Sequence, residues 1–449
     1  MKKSFSMFLK NNWPICIVLF ISFVLHILAF REVGFEYSLK SDDLHYVYSG
    51  ITFLKEGKIT MHGVLSAQIM PGLTFFIAFV SLIFGSGFKL WVALKILYMF
   101  MGLWTIVGIY KILRLYANKY VSAIPCLFFL ATDYIWMDNL ILTETPFILF
   151  FVLMIYHTLK LSINPNKKDY ILVIVYYILD VFIRPNIGIY PIFLFLFLLL
   201  KKYDFKLLIK QCFIAGIVLL VLLTPWTIRN YKVFNKFIPL TYGVGNPLLL
   251  GTYQGYNYPS DDELDYVANV DKKMDKEMRY YLENEDSKEY MRKYYSLEYD
   301  GMKAKYRMKE WWKKDKKSML FSYFVYKPKV VIYGAFFWHQ ILGVKTETLL
   351  IIRDIELILT ALSVILILID KTKIKEMFFL GFVYFSQVAL YSYTFALNRY
   401  GITLFFIRYI IIGFGLNIFY NMIITRRIKN ESANNNTGVQ RRVKHKKYS

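Results

Sequence analysis

Cysteine is scarce in this sequence. The only three, Cys16, Cys126 and Cys212, each lie inside an apolar run, and the chain has neither a CxxC pair nor a cluster of histidine and cysteine. A disulfide framework and a cysteine-based zinc site are therefore not expected. We interpret the three cysteines as small buried hydrophobic residues.

Acidic residues are also few compared with basic ones. The chain has 32 Asp and Glu against 55 Lys and Arg, a formal net charge of +23. In a soluble protein this excess would indicate a nucleic-acid partner, but no nucleic-acid-binding motif is present. The basic residues instead gather in short segments between apolar runs, the pattern that fixes the orientation of membrane proteins. The sequence predicts a lipid bilayer, and no nucleic acid, as the partner.

Apolar residues are abundant by contrast. They make up 57% of the chain, above the roughly 45–50% of ordinary soluble domains. Long uncharged runs recur, for example at 15–30, 191–200 and 214–225, and a helix needs about 20 mostly apolar residues to cross a bilayer. The sequence therefore predicts an all-α polytopic protein of the plasma membrane.

One threading places every basic segment on the cytoplasmic side, with an uncleaved first span and both chain ends inside. Its ten predicted spans are 14–30, 90–111, 121–138, 145–160, 170–183, 187–200, 208–225, 348–369, 376–396 and 401–424. Two shorter apolar stretches, 69–84 and 330–342, are assigned to the outer surface. The total is thus about 10–12 spans, depending on whether such stretches cross.

This threading divides the chain into four parts. An N-terminal transmembrane catalytic module covers 1–225 and includes a first outer loop at 31–89. An outer-face segment at 226–347, rich in charges and aromatic residues, is expected to form juxtamembrane amphipathic helices. C-terminal transmembrane helices occupy 348–424, and a basic cytoplasmic tail occupies 425–449.

Carboxylates stand at two places on the predicted outer face. Asp42 and Asp43 are adjacent in the first outer loop, and a pair of this kind could hold a divalent cation or act as a general base. The alternative is an ordinary solvated turn. Asp138 and Glu144 flank the point where one span leaves the membrane and the next enters. Helix capping by Thr143 or by Thr145 is the alternative there.

Three arginines also lie at predicted outer membrane ends: Arg184, Arg229 and Arg399. The positive-inside pattern depletes arginine on that face, so the presence of each arginine there must be explained. Arginine pairs planar, multi-oxygen anions such as phosphate. Snorkelling to lipid headgroups is the alternative for each one. Acids and arginines on one face suit a substrate with an anionic head and a lipid tail.

Several short motifs occur in order along residues 14–410. They are Asp42-Asp43-Leu44-His45-Tyr46, the Gly-containing stretch Lys55-Glu56-Gly57-Lys58, Met70-Pro71-Gly72 through Phe84-Gly85, Leu142-Thr143-Glu144, Arg184-Pro185, Pro225-Trp226-Thr227-Ile228-Arg229-Asn230-Tyr231 and Arg399-Tyr400. In order and spacing they resemble the integral-membrane glycosyltransferases of the GT-C fold. The nearest branch is family 39, which includes protein O-mannosyltransferases and the bacterial aminoarabinose transferases of lipid A.

The resemblance implies a GT-C-like helix bundle that moves a sugar from a polyprenyl-phosphate donor to an acceptor on the extracytoplasmic face. The acceptor hydroxyl attacks the anomeric carbon, and polyprenyl phosphate leaves. Asp42 is then the expected base, with Asp43 supporting it and Glu144 as a further catalytic residue. The expected donor-phosphate ligands are Arg399, Arg229 and Arg184. The expected substrate-binding residues are Tyr46, Asp138 and Tyr400.

Departures from the family pattern leave the cofactor open. His62 and Gln68 stand where some relatives have an acidic residue linked to metal binding, and Met70 replaces a proline. Asp42 and Asp43 stay candidate ligands for a divalent cation. The acceptor, whether glycan, lipid or protein, stays open too. The alternatives to a transferase are a flippase or exporter, or a polymerase, of lipid-linked glycans.

Overall fold

The computed structural model describes residues 2–336 and 339–445. Within them helices dominate, and the strands form one two-stranded antiparallel hairpin, β1 (Thr60–Met61) with β2 (Val64–Leu65). The predicted all-α fold class is confirmed. His62 and Gly63 turn the hairpin with positive φ values of 53° and 80°, as a two-residue type I′ turn requires.

The helices of the first half of the chain, in order, are α1 (Lys2–Val33), α2 (Asp42–Glu56), α3 (Pro71–Phe84), α4 (Phe88–Arg114), α5 (Lys119–Ala123), α6 (Thr132–Asp138), α7 (Glu144–Ile163), α8 (Lys167–Ile183), α9 (Tyr190–Leu200) and α10 (Phe205–Phe234). Local signals set several of these bounds. Pro71 occupies the first turn of α3, where its missing N–H costs nothing. The side chains of Asn166 and Asp204 cap α8 and α10.

The helices of the second half are α11 (Gly245–Gly251), α12 (Tyr266–Asn269), α13 (Lys276–Glu283), α14 (Glu289–Lys314), α15 (Lys316–Phe321), α16 (Lys327–Tyr333), α17 (Thr346–Asp370), α18 (Ile374–Tyr393), α19 (Asn398–Ile402) and α20 (Phe405–His445). The long connection between α10 and α17 is thus helical over much of its length. Gly245 lets α11 cross α14 closely, since a Cβ there would lie 2.0 Å from the carbonyl oxygen of Leu297.

Five described helices are long and apolar enough to cross a membrane. They are Asn11–Val33, Phe88–Arg114, Glu144–Ile163, Phe205–Phe234 and Phe405–Thr425. The other predicted spans fall on helices that are shorter, bent, interrupted by charge or, in the case of α18, less apolar. The chain is a multi-pass membrane protein, and the number of helices that cross stays a prediction.

The predicted span 121–138 is not one straight helix. Lys119–Leu130 and Thr132–Asp138 form a pair bent by 69°, so this segment is a broken span or a re-entrant loop. Thr132 and Asp133 interrupt the apolar run at this point, but such an interruption does not predict the direction of the helix axis. The break places Asp138 at the end of a short, fully buried helix, α6.

The boundary predicted at residue 225 falls inside α10, which continues to Phe234. Pro225 lies within the helix and does not end it, as is common for proline in membrane helices, where neighbours satisfy the freed backbone group. Arg229 and Asn230 therefore belong to the last turns of α10. The long connecting segment begins only after Asn235, whose positive φ of 52° ends the helix.

A buried arginine holds the connecting segment together. The guanidinium of Arg307, on α14, pairs with Asp261 and donates to Thr252 Oγ1 at 2.8 Å and to the carbonyl of Pro259 at 2.7 Å. It also lies 3.8 Å from the centre of the Tyr253 ring. Because Arg307 is fully buried, these contacts fix the loop before α12 against α14.

Charged residues inside the C-terminal helices pair with one another. Arg353 of α17 contacts Asp133 of α6 at 2.6 Å and also pairs with Glu356. Arg408 of α20 lies 3.3 Å from Glu356, and Tyr409 donates to the same carboxylate at 2.8 Å. Two arginines and two acids thus form a buried network that fixes α6, α17 and α20 relative to one another, as charges within membrane segments usually require.

The sidedness of the threading is tested by single cysteines in a chain whose three native cysteines are replaced by serine. Asn164 and Asp286 are both exposed. We expect an impermeant thiol reagent added to intact cells to label a cysteine at 286 and to spare one at 164, which should react only after lysis. The positive-inside pattern is the physical reason. The reverse labelling would show that the threading is inverted.

Candidate active site

Two aspartates begin α2, and the structure gives them different surroundings. Asp43 is buried, and its carboxylate accepts hydrogen bonds from the backbone N–H groups of Leu39 (2.9 Å) and Ser41 (3.3 Å). It therefore fixes the turn that leads into the helix. The side chain of Asp42 is 34% exposed. Of the two, Asp42 is the one that a substrate can reach.

Arg399, on α19, joins Asp42 to Glu144, which begins α7. Its Nη1 donates to Asp42 Oδ2 at 3.0 Å, its Nε pairs with Glu144, and its Nη2 lies 3.4 Å from the second oxygen of Glu144. Only 11% of the Arg399 side chain is exposed. Snorkelling is therefore not its role, because the guanidinium points at two carboxylates and not at lipid headgroups.

Arg184, at the end of α8, completes the cluster from the other side of Glu144. Its Nη2 lies 2.6 Å from Glu144 Oε1, and its Nε donates to Thr143 Oγ1 at 2.7 Å. Glu144 is fully buried between the two guanidinium groups. Loss of one partner from such a pair typically costs about 3–5 kcal/mol, because the remaining charge is left buried alone. Glu144 is placed to hold the arginines, not to meet a substrate.

Helix capping does not explain the two threonines beside Glu144. Neither makes a side-chain cap at the start of α7. Thr143 accepts from Arg184, and Thr145 donates to Asp138 at 2.7 Å. Both threonines thus form hydrogen bonds with charged residues nearby and do not cap the helix.

Two tyrosines accompany the cluster. Burial, and then the nearby Asp42, raise the pKa of Tyr46, and burial likewise raises the pKa of Tyr400. Both therefore stay protonated hydrogen-bond donors. Burial alone would lower the pKa of Arg399, but the carboxylates of Glu144 and Asp42 outweigh it and raise that pKa above the ordinary value. Arg399 is positively charged under all physiological conditions.

A polar network behind Arg184 orients the end of α8. Asn186 donates to Gln387 at 2.8 Å and to Tyr391 at 2.7 Å, and Gln387 donates back to the Asn186 carbonyl at 3.1 Å. The Tyr391 ring stacks on Tyr400 with centroids 4.7 Å apart. Arg184 in turn lies 5.7 Å from the centre of the Tyr400 ring. This network ties α8 and α18 to the helix that carries Arg399.

The structure does not bring Asp138 into the cluster, although it was predicted to bind substrate there. Its carboxylate contacts His26 Nε2 of α1 at 3.2 Å and Thr145 at 2.7 Å. Gly102 of α4 allows this, since a Cβ at that position would lie 2.0 Å from Asp138 Oδ2. Asp138 is buried and links α1, α4 and α7.

Arg229 is also placed elsewhere. Its Nη1 donates to the carbonyl of Ser66 at 2.8 Å and its Nη2 to that of Ile59 at 3.3 Å, on either side of the β1–β2 hairpin. The guanidinium also lies 5.2 Å from the centre of the Trp226 ring. Arg229 therefore lies at the hairpin and not with Arg184 and Arg399 around Glu144, so the structure does not bring this predicted phosphate ligand into the cluster.

Two histidines that the sequence reading did not assign to the site lie beside Asp42. His62, in the hairpin turn, places its Nε2 3.8 Å from Asp42 Oδ1, and its ring centre lies 4.4 Å from that of His45. Burial, and then the His45 ring, lower the pKa of His62, while Asp42 opposes them. Asp42 thus has Arg399 at one oxygen and imidazole at the other.

A divalent cation held jointly by Asp42 and Asp43 does not fit this arrangement. Backbone amides take both oxygens of Asp43, and Arg399 pairs with Asp42. Across residues 2–336 and 339–445, no group of three or more His, Cys, Asp or Glu side chains is arranged to hold a metal ion. A requirement for a divalent cation stays a prediction, and its ligands would have to include groups other than these two aspartates.

Residues 69–228 match the family model described as dolichyl-phosphate-mannose-protein mannosyltransferase. That match includes Glu144 and Arg184 and leaves out Asp42 and Arg399. No curated protein sequence matches the chain.

Among solved structures, the archaeal oligosaccharyltransferase AglB from Archaeoglobus fulgidus, in complex with an inhibitory peptide and a dolichol-phosphate, is similar with a TM-score of 0.54 and 15% identity. The match covers 94% of this chain and 52% of AglB, so the chain spans about half the length of that protein. ArnT from Cupriavidus metallidurans bound to undecaprenyl phosphate has a TM-score of 0.41 and 13% identity, over 89% of this chain and 77% of ArnT. The similarity to AglB shows that the chain has the GT-C fold.

Proposed function

We propose that the chain is a glycosyltransferase that moves a sugar from a polyprenyl-phosphate donor to an acceptor at the extracytoplasmic face of the plasma membrane. One observation carries the proposal: Arg399 joins the accessible Asp42 to the buried Glu144, which Arg184 also contacts. Two fixed positive groups thus lie beside one reachable carboxylate. The family match of residues 69–228 and the dolichol-phosphate in the AglB complex support a lipid-phosphate donor.

The charge that develops on the leaving phosphate can be compared with the net charge of this cluster. The acceptor O–H bond breaks and its proton goes to Asp42, while the oxygen forms a bond to the anomeric carbon. The bond from that carbon to the phosphate oxygen breaks, and its electron pair stays on the phosphate, which gains one negative charge. With Asp42 protonated, Arg184, Arg399 and Glu144 carry a net charge of +1. Positive charge therefore appears beside the phosphate as negative charge develops there.

The ion pairs also hold the arginines ready before substrate binds. Glu144 is enclosed by both guanidinium groups, and the network around Asn186 fixes the end of α8. Preorganised charges of this kind need no rearrangement when the transition state forms. A single displacement at the anomeric carbon would invert its configuration.

A deletion strain tests the proposed function directly. We expect its lipid extract to accumulate a polyprenyl-phosphate sugar, which the wild-type gene should clear and the Asp42→Asn gene should not. Mass spectrometry of the extract is the measurement. A flippase or exporter would instead cause a complete lipid-linked glycan to accumulate, and a polymerase would cause an unpolymerised repeat unit to accumulate. Either result would contradict the transferase.

A further inference from the structure

An open cavity lies beside His62, the histidine whose ring contacts Asp42. Its volume is about 660 Å³, and it lies between α2, the β1–β2 hairpin and α14. The side chains that line it include His45, Tyr48, Thr52, Thr60, His62 and Tyr290. His62 connects the cavity to the reaction centre, because its Nε2 lies 3.8 Å from Asp42 Oδ1.

The position of this cavity agrees with the direction from which an acceptor hydroxyl attacks in a single displacement. The leaving phosphate belongs beside Arg399, which binds Asp42 Oδ2. An attacking hydroxyl approaches the anomeric carbon from the side opposite the leaving oxygen. Asp42 Oδ1 faces His62, which lines the cavity, so an acceptor bound in the cavity would reach that oxygen past the edge of the His62 ring.

The chemistry of the lining distinguishes between classes of acceptor. Two tyrosine rings provide flat apolar faces, while threonine hydroxyls and imidazoles provide hydrogen-bond donors and acceptors. Leu65 is the one aliphatic side chain among the described lining residues, so a lipid acceptor would find little apolar surface. Glu56 and Lys58 pair with each other at 3.0 Å, which leaves no excess charge for an ionic peptide.

We propose that this cavity binds the acceptor and that the acceptor is a glycan chain whose sugar hydroxyl receives the transferred sugar. A pyranose ring has an apolar face that packs on an aromatic ring and hydroxyls at its rim that hydrogen-bond. Tyr48 is 53% exposed, and Tyr290 is held edge-on against Phe234 with ring centres 5.7 Å apart. Tyr48 is therefore the ring to test, because its removal disturbs few other contacts. This proposal rests on the transferase function.

The test separates the two proposals. The envelope of the deletion strain is divided into polysaccharide, lipid and protein fractions, and the sugars of each are measured by mass spectrometry, together with the polyprenyl-phosphate sugar pool. We expect one sugar to be lost from the polysaccharide fraction while the donor accumulates. Accumulation of the donor with loss from the protein or the lipid fraction would overturn the glycan acceptor and keep the transferase. No accumulation and no loss would contradict the transferase itself.

Complementation with variants then tests the cavity. Tyr48→Ala should restore the sugar about threefold to tenfold less efficiently than wild type, as removal of one aromatic contact predicts, and Tyr48→Phe should restore it fully. Tyr280→Ala is the matched control, since Tyr280 is similarly exposed at 56% and does not line the cavity. If Tyr48→Ala restores the sugar as well as wild type at equal protein levels, the cavity is not the acceptor site.

Discussion

Replacement of Asp42 by asparagine is expected to lower the transfer rate by about 10²–10⁴-fold, the usual cost of losing a general base. Asparagine keeps the volume of the side chain and its hydrogen bond to Arg399, but it cannot take the acceptor proton. The measurement is the rate of sugar transfer per folded molecule in nanodiscs, with the donor extracted from the deletion strain. Asp262→Asn is the control, because Asp262 is an exposed acid in the connecting segment.

The neighbouring aspartate gives a contrasting result. Asp43 accepts hydrogen bonds from two backbone N–H groups before α2, so Asp43→Asn should act on stability, by about 1–3 kcal/mol, the usual cost of leaving a buried donor without its partner. Its transfer rate per folded molecule should stay near that of wild type if backbone contacts are its main role, whereas a lower rate would support the catalytic role that the sequence predicts for Asp43. Normal transfer by Asp42→Asn together with a lost rate in Asp43→Asn would reverse the two assignments.

The sequence predicted part of the site because its residues share a physical signal. Asp42, Glu144, Arg184 and Arg399 are charges at predicted membrane ends, where charge is expensive unless it has a partner or a function. The structure places all four in one cluster. Their roles stay predictions, but their convergence from α2, α7, α8 and α19 is what the threading required. The N-terminal part of the chain alone does not contain the site, since Arg399 comes from the C-terminal part.

Other residues have partners that no sequence pattern shows. Arg229 binds backbone carbonyls of the hairpin, and carbonyls are present at every position of a chain. Asp138 pairs with His26, which lies in the middle of an apolar run 112 residues away. His62 reaches Asp42 only because it adopts a positive φ in a tight turn. Each of these contacts depends on tertiary packing and not on local composition.

The same limit applies to the fold. Hydropathy reports whether a segment is apolar, and it correctly indicated a polytopic helical protein. It does not report the direction of the helix axis, so the 69° bend between residues 130 and 132 was missed. A proline likewise reads as a boundary in the sequence, yet α10 continues through Pro225. The bend and the continuation of α10 both depend on packing against neighbouring helices, which the sequence alone does not reveal.

Replacement of Arg399 by lysine is expected to lower the transfer rate by about 10²–10³-fold, the cost typical of losing one preorganised group that stabilises developing charge. The guanidinium contacts Asp42 and both oxygens of Glu144 through three different nitrogens. The ammonium group of lysine is a point charge and cannot reproduce this fork. Lysine keeps the positive charge, so the expected loss arises from geometry.

The measurement is the transfer rate as a function of donor concentration for wild type and Arg399→Lys in the same nanodiscs. The loss should appear in kcat/KM for the donor, while the acceptor KM stays unchanged, because the acceptor is expected on the opposite side of Asp42. Arg279→Lys is the control, since Arg279 is an arginine of the connecting segment whose side chain is 46% exposed. If wild type and Arg399→Lys give the same curves, Arg399 is a structural ion-pair partner. Arg184, the other arginine that contacts Glu144, would then be the phosphate ligand. Arg229 lies outside the cluster, where it contacts the hairpin.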